Sequence, residues 1–250
     1  MLLAIDIGNT SIKFGIFDGD QLTSKFVIPT RREYSVDEIH EAVNGQLDGG
    51  FKNAIISSVV PQVDAAMTEF LSHFSVSETR FVRTTDDFNL TFNFPIHEAG
   101  TDRLVNSFAA AEKYGVPVIV IGFGTATTID VIDRSREHRG GLIAPGPATT
   151  AKALQLFASK LPEIQIVEPS NVLSTTTVTA IQAGIFYSQI GLVEAAVPDI
   201  RSEIGPDARV VATGGFAHLI ADKCRSVDVV DSDLTLEGLK MLYSRLSAAS

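Results

Sequence analysis

The chain has 250 residues, 45% of them hydrophobic, with 20 Lys and Arg against 30 Asp and Glu and a net charge of -10. That length makes one large domain or two small ones and buries a sizeable core without cross-links. The acidic balance argues against a general nucleic-acid or anionic-membrane binder, which needs a basic face. It leaves room for one phosphorylated ligand held by backbone N–H groups.

Leu2 to Ile7 is a short apolar run that ends in Asp6-Ile7-Gly8-Asn9-Thr10, a buried strand entering a tight turn. Ser11 to Phe17 alternates through Ile12, Phe14 and Ile16, and Asp18-Gly19-Asp20 then turns the chain into a third strand, Gln21 to Ile28. Ser35, followed by Asp37 and Glu38, caps a helix running to Val43. Ala54 to Val60 is a buried strand stopped by Pro61, with a helix from Val63 to Phe74 behind it. Thr101 to Tyr114 is helical, ended by Gly115. Val116–Ile121, Thr127–Ile132 and Gly140–Ala144 are strands. Thr149 to Lys160 and Val178 to Ala196 are helices, Arg209 to Ala212 is a strand, and Thr235 to Leu246 closes the chain as a helix. Mixed strands and helices imply an α/β fold.

Cys224 is the single cysteine, and no Cys/His cluster has zinc spacing. The N-terminus lacks a basic leader, and no apolar run approaches the ~20 residues needed to span a bilayer. A reducing, cytoplasmic setting is the expectation.

Aligning Gly8 with Gly124 lays Ala4-Ile5-Asp6-Ile7-Gly8-Asn9 over Val120-Ile121-Gly122-Phe123-Gly124-Thr125, and Ile16 over Ile132. Such self-similarity points to a duplication, although apolar–Gly–Thr patterns also recur by chance. The halves would be 1–114 and 115–250.

Three Gly turns follow apolar strands. In Asp6-Ile7-Gly8-Asn9-Thr10, glycine lets a phosphate approach the backbone, Asn9 and Thr10 can cradle it, and Asp6 can hold its Mg²⁺. An Asx-type turn between two strands fits the same residues. Gly124-Thr125-Ala126-Thr127-Thr128 reads as a second phosphate turn or as a plain β-hairpin, and Thr213-Gly214-Gly215 as a third approach or as a simple strand-to-helix connection. Neither GxGxxG nor GxxxxGK[ST] is present. Asp102, in Gly100-Thr101-Asp102-Arg103, is either a helix-start acid or a general base with Arg103 steering an anion. Gly140-Gly141-Leu142-Ile143-Ala144 with Pro145 and Gly146 reads as sheet followed by a turn. The five histidines, His138 among them, read as surface or packing residues.

Taken in order, these motifs resemble the type III pantothenate kinase family, within the actin, Hsp70 and sugar kinase superfamily. The stretches that carry the resemblance include Asp6–Thr10, Ser57-Ser58-Val59-Val60-Pro61, Gly100–Arg103, Phe123–Thr128, Gly140–Gly146, Ala180-Ile181-Gln182-Ala183-Gly184, Ala212–Gly215 and Leu234–Leu239. The resemblance implies a duplicated ribonuclease-H-like, actin-like ATPase fold with ATP between the halves. It implies ATP-dependent phosphorylation of pantothenate, the first step of coenzyme A synthesis. By motif, Asp6, Ile7, Gly8, Asn9, Thr10, Ser11, Ile12 and Lys13 form the first phosphate-binding segment, and Thr125 contacts ATP. Asp102 is the proton acceptor. Phe92, Gly100, Thr101, Asp102, Arg103 and Thr177 contact pantothenate. A homodimer, Mg²⁺ and a monovalent cation (K⁺ or NH₄⁺) come with the family.

Two positions depart from the family pattern. Gly122 stands where the family has an aspartate linked to the monovalent cation, and Phe92 where many members have tyrosine. Loss of the acid leaves a second reading open, a non-catalytic, ligand-binding regulator. A third is a kinase of the same superfamily acting on a sugar or other polyol, against which Gly100–Arg103 and Ala180–Gly184 count.

Overall fold

Two sheets organise the chain, which this computed structural model describes at every residue except Asp48, Ser159, Ala249 and Ser250. The first is built from β1 (Leu2–Ile7), β2 (Ser11–Asp18), β3 (Gln21–Pro29), β4 (Asn53–Ser58) and β5 (Glu78–Phe81), in the order β3-β2-β1-β4-β5. β1 is antiparallel to β2 and parallel to β4. Its residues from Leu3 to Ile7 are all buried, as expected of a central strand covered on both faces. α1 (Val36–Val43) starts as the sequence predicts. Ser35 accepts from the Glu38 N–H, and the Glu38 carboxylate accepts from the Ser35 N–H, forming a capping box. Pro61 occupies the first turn of α2 (Pro61–Ser72), where its missing N–H costs nothing, so the helix begins two residues before the predicted Val63.

The second sheet holds β6 (Thr91–Phe92), β7 (Val118–Phe123), β8 (Ala126–Ile132), β9 (Glu137–Pro145), β10 (Arg209–Thr213) and β11 (Val229–Val230), in the order β11-β10-β7-β8-β9-β6. β7 is antiparallel to β8 and parallel to β10, the relations β1 has with β2 and β4. With Gly8 placed on Gly124, β1 falls on β7 end to end without a gap. The fold is a duplicated ribonuclease-H-like α/β architecture, with helices α3 (Thr101–Tyr114), α4 (Pro147–Phe157), α5 (Thr177–Ile204), α6 (Ala217–Ala221) and α7 (Leu234–Ala248) completing it. Ser159, within the predicted helix Thr149–Lys160, lies outside the described residues; α4 ends at Phe157.

The chain groups into two units. Met1–Leu90, Pro95–Ala109 and Asp233–Ser250 form one, and Thr91–Phe94 with Ala110–Ser232 form the other. A single cut at 114/115 would leave α7 with the second half. Its buried Leu234, Leu236, Leu239, Leu242 and Leu246 instead pack it with β1, β2 and β4 of the first sheet. In the first unit Leu3, Ile5, Phe14, Ile56, Met67 and Phe70 share one core. In the second, Ile119, Ile121, Phe123, Phe186, Val193 and Val210 share another.

α5 corrects one expectation. At 28 residues, it is long and apolar enough by length and composition to cross a bilayer. Its Phe186, Val193 and Val197 are core residues of the second unit.

Candidate active site

In the first unit three side chains line up where β1 ends. Lys13 on β2, Asp6 on β1 and Ser57 on β4 are register partners and share a face of the sheet. Asp6 is only 5% exposed and Ser57 is fully buried. Lys13 Nζ stands 3.3 Å from Asp6 Oδ2. Asp6 Oδ1 is buried with no hydrogen-bond partner among the described residues. A buried carboxylate is costly unless it is paired. Lys13 compensates Oδ2 and leaves Oδ1 uncompensated.

The turn beyond Asp6 is held by the backbone. Gly8 N–H donates to Ser11 O at 3.1 Å and Val59 N–H to Ile7 O at 3.0 Å. The Thr30 hydroxyl donates to Gly8 O at 2.6 Å. Asn9 and Thr10 are exposed at the tip and Ser11 is half-buried, while the side chains of Ile7 and Ile12 lie in the core.

The start of α3 joins this row through Ser57. The Thr101 hydroxyl donates to Ser58 O at 3.2 Å, which leaves Ser57 Oγ, 2.9 Å away, to donate to Thr101. Next in line, Asp102 Oδ1 accepts from the Arg103 N–H at 2.9 Å. Gly100, Thr101, Asp102 and Arg103 are half-buried, and the fully buried Leu104 and Val105 anchor the helix behind them. The structure therefore brings the Asp6–Lys13 and Gly100–Arg103 segments together within one unit. Ser57, the link, was not singled out as a site residue. Its signal in sequence is the polar pair Ser57-Ser58 interrupting the apolar run of β4.

The second unit has a Gly turn at the equivalent place, one residue shorter, so that Ile16 falls on Val131 rather than on the expected Ile132, and its chemistry differs. Gly124 N–H donates to Ala126 O at 3.0 Å, and Thr125 O accepts from Gly146 N–H at 3.0 Å and from the Thr149 hydroxyl at 2.5 Å. Thr125 itself is exposed. The third Gly turn is fastened to the second, where Phe216 N–H donates to Phe123 O at 3.2 Å. Gly122 occupies the position that Asp6 has in the first sheet, flanked in register by Thr128 and Thr213 rather than by Lys13 and Ser57. Thr213 Oγ1 is buried without a partner among the described residues. Thr177 is the exposed first residue of α5, whose N-cap, Thr176, accepts from Thr179 N–H at 3.2 Å. Phe92 lies on β6, half-buried. Among the described residues no three His, Cys, Asp or Glu side chains cluster as a metal site. Cys224 is buried, and burial pushes its thiol up to about 11, too high for thiolate chemistry at neutral pH.

Lys13→Ala should strand the Asp6 carboxylate and destabilise the protein by about 1–2 kcal/mol, the cost of an unmatched buried polar group next to a half-exposed partner. Adding Asp6→Asn should recover most of the loss in a thermal melt. A double variant that melts no higher than Lys13→Ala would show that the pair is not coupled.

A family profile described as type III pantothenate kinase matches residues 2–199. A type III pantothenate kinase of Brevibacillus brevis is 39% identical over 253 residues, covering 98% of this chain and 99% of the relative. One from Dehalococcoides mccartyi is 40% identical over 250 residues, covering 97% and 95%. Among solved structures, a Baf family transcriptional activator from Campylobacter jejuni superposes with a TM-score of 0.63 at 20% identity, covering 98% of this chain and 99% of that one; the likeness is one of fold. With the profile covering most of its length and full-length relatives at this identity, the chain belongs to the type III pantothenate kinase family.

Proposed function

We propose the residue roles through which this family member phosphorylates pantothenate with ATP, the first step of coenzyme A biosynthesis. Asp102 accepts the proton of the pantothenate primary hydroxyl as that oxygen attacks the γ-phosphorus, and the bond to ADP breaks on the far side. Phosphoryl transfer depends mainly on positioning and on neutralising charge, so one well-placed base with aligned phosphates suffices. Arg103 pairs with the pantothenate carboxylate. The rest of Gly100–Arg103, with Phe92 and Thr177, completes the substrate contacts. The Asp6–Lys13 turn and Thr125 receive the ATP phosphates. The observation that carries this reading is the Ser57–Thr101 contact at 2.9 Å, which ties the Asp102 helix start to the Lys13–Asp6–Ser57 row.

Mg²⁺ fits this row. The unpartnered Asp6 Oδ1 is a hard oxygen donor of the kind Mg²⁺ takes, directly or through water. Bound there with the phosphates, the ion would neutralise their charge. A monovalent-cation site fits poorly. Gly122 brings no side chain, and its neighbours Thr128 and Thr213 offer neutral hydroxyls in place of a carboxylate. No step here runs through such a cation, and we place this chain among kinases with weakened K⁺ or NH₄⁺ dependence. The protein works in the cytoplasm as a homodimer. Support for the dimer comes from apolar side chains left in solvent on the second unit, among them Phe157 and Leu173, each 90% exposed, and Val172.

The regulator reading has no observation in its favour, because the transcriptional activator from C. jejuni is related at the level of fold only. The sugar or polyol reading falls with family membership.

Asp102→Asn should lower pantothenate-dependent kcat by about 10²–10⁴-fold, the range for loss of a general base. Retention of full turnover would remove Asp102 from the proton-acceptor role. Gly122→Asp should raise K⁺ activation in the same coupled assay. Its new Cβ meets Thr128 Oγ1 at 2.8 Å, a clash that a rotamer change of that threonine relieves. An unchanged salt response would count against a weakened cation site. Light scattering after gel filtration should give twice the chain mass, and a monomer would refute the dimer.

A further inference from the structure

His138 is 1% exposed and lies against a carboxylate, Asp130, that is 2% exposed. Both belong to the second unit, and neither has a part in the reading above. Their meeting depends on a β-bulge. β8 and β9 pair Asp130 with Gly141 but Ile132 with His138, so Arg139 and Gly140 together oppose Val131. Without the extra residue, Arg139 would face Ile132, and His138 would point to the opposite side of the sheet. Gly140 takes φ +95°, a conformation that L side chains rarely adopt, and a Cβ on Gly141 would fall 1.8 Å from Ile129 O. The Gly140-Gly141 pair therefore serves to aim His138.

Both ring nitrogens are then used. Gly140 N–H donates to Nδ1 at 3.2 Å, which leaves the proton on Nε2, 3.3 Å from Asp130 Oδ1. The ring cannot flip without losing both contacts. Against it packs the short strand β6, whose Phe92 is the register partner of His138 and whose Thr91 N–H donates to Arg136 O at 3.0 Å. Phe92 stacks on the imidazole at 5.8 Å and 28°, and Phe94 meets it edge-on at 5.0 Å.

We infer that His138, oriented by Asp130 and the Gly140 bulge, is a positioning residue that sets the angle of the Phe92 ring and so the affinity for pantothenate. This rests on the reading that Phe92 contacts that substrate. A stacked ring fixed from behind presents a defined apolar face to a small ligand, and a loosened one spends binding energy on being ordered.

The test is steady-state kinetics of the full-length protein with both substrates varied, on His138→Ala, His138→Gln and Phe92→Ala. His138→Ala should raise the KM for pantothenate about tenfold, with the KM for ATP within about twofold and kcat reduced far less than the pantothenate KM rises. His138→Gln keeps a planar donor for Asp130 and should recover part of the loss. Calorimetric titration of pantothenate into each variant gives the same ranking without turnover and shows that the protein is folded. An unshifted pantothenate KM in His138→Ala, with a shift in Phe92→Ala, overturns this inference alone. An equal loss for both substrates, unrelieved by His138→Gln, marks His138 as merely structural and also overturns it. No shift in Phe92→Ala overturns the Phe92 contact and this inference with it.

Discussion

The hydroxyl of Ser57 lies 2.9 Å from that of Thr101, and the organisation of the first unit's site follows from that contact. Ser57 is the last buried residue of β4, behind the fully buried Ala54, Ile55 and Ile56, and is in register with Asp6 on the neighbouring parallel strand. Parallel pairing brings the carboxyl ends of β1 and β4 out at the same edge of the sheet. Any polar group at those ends therefore faces the same place, and a helix that starts there can be fastened to it. Thr101 provides the fastening, and Asp102 follows one residue later with its carboxylate held by the Arg103 N–H.

The two sheets repeat one topology and differ in what stands at the equivalent edge. In the first, Lys13, Asp6 and Ser57 make a charged row. In the second, Thr128, Gly122 and Thr213 make a neutral one. A buried carboxylate needs a cation, either Lys13 or a metal held with phosphate. A glycine between two threonines needs none. The duplication thus supplies two Gly turns at equivalent places that differ in length, three residues between β1 and β2 against two between β7 and β8, and in the electrostatics of the strand ends beside them.

The Gly140 bulge shows how a backbone irregularity selects chemistry. A regular ladder would turn His138 to the other face of the sheet, whereas one added residue sets it beside Asp130 and beneath Phe92. Gly140-Gly141, expected as plain sheet, is a bulge inside β9. The turn falls at Gly146 as expected, where the backbone N–H meets Thr125 O.

Much of this was legible in the residues. β1, β2, α3 and β10 fall within a residue or two of their predicted spans, because buried apolar runs, the Ser35 cap and Gly115 are local signals that need no partner. The repeat was legible too, since Gly8 and Gly124 mark the same bend after the same kind of strand. β5, β6 and β11 were missed. At two to four residues they have no periodicity of their own and exist only through β4, β9 and β10. Only the tertiary structure grouped α7 with the first sheet, set Ser57 between Asp6 and Thr101, and joined His138 to Asp130 and Phe92. Each of these depends on which strands pair and in what register, and register is settled by contacts between segments distant in the chain. The sequence by itself determined the α/β class, the duplicated turns and the family; the packing of the chain decided which of the residues so marked stand side by side.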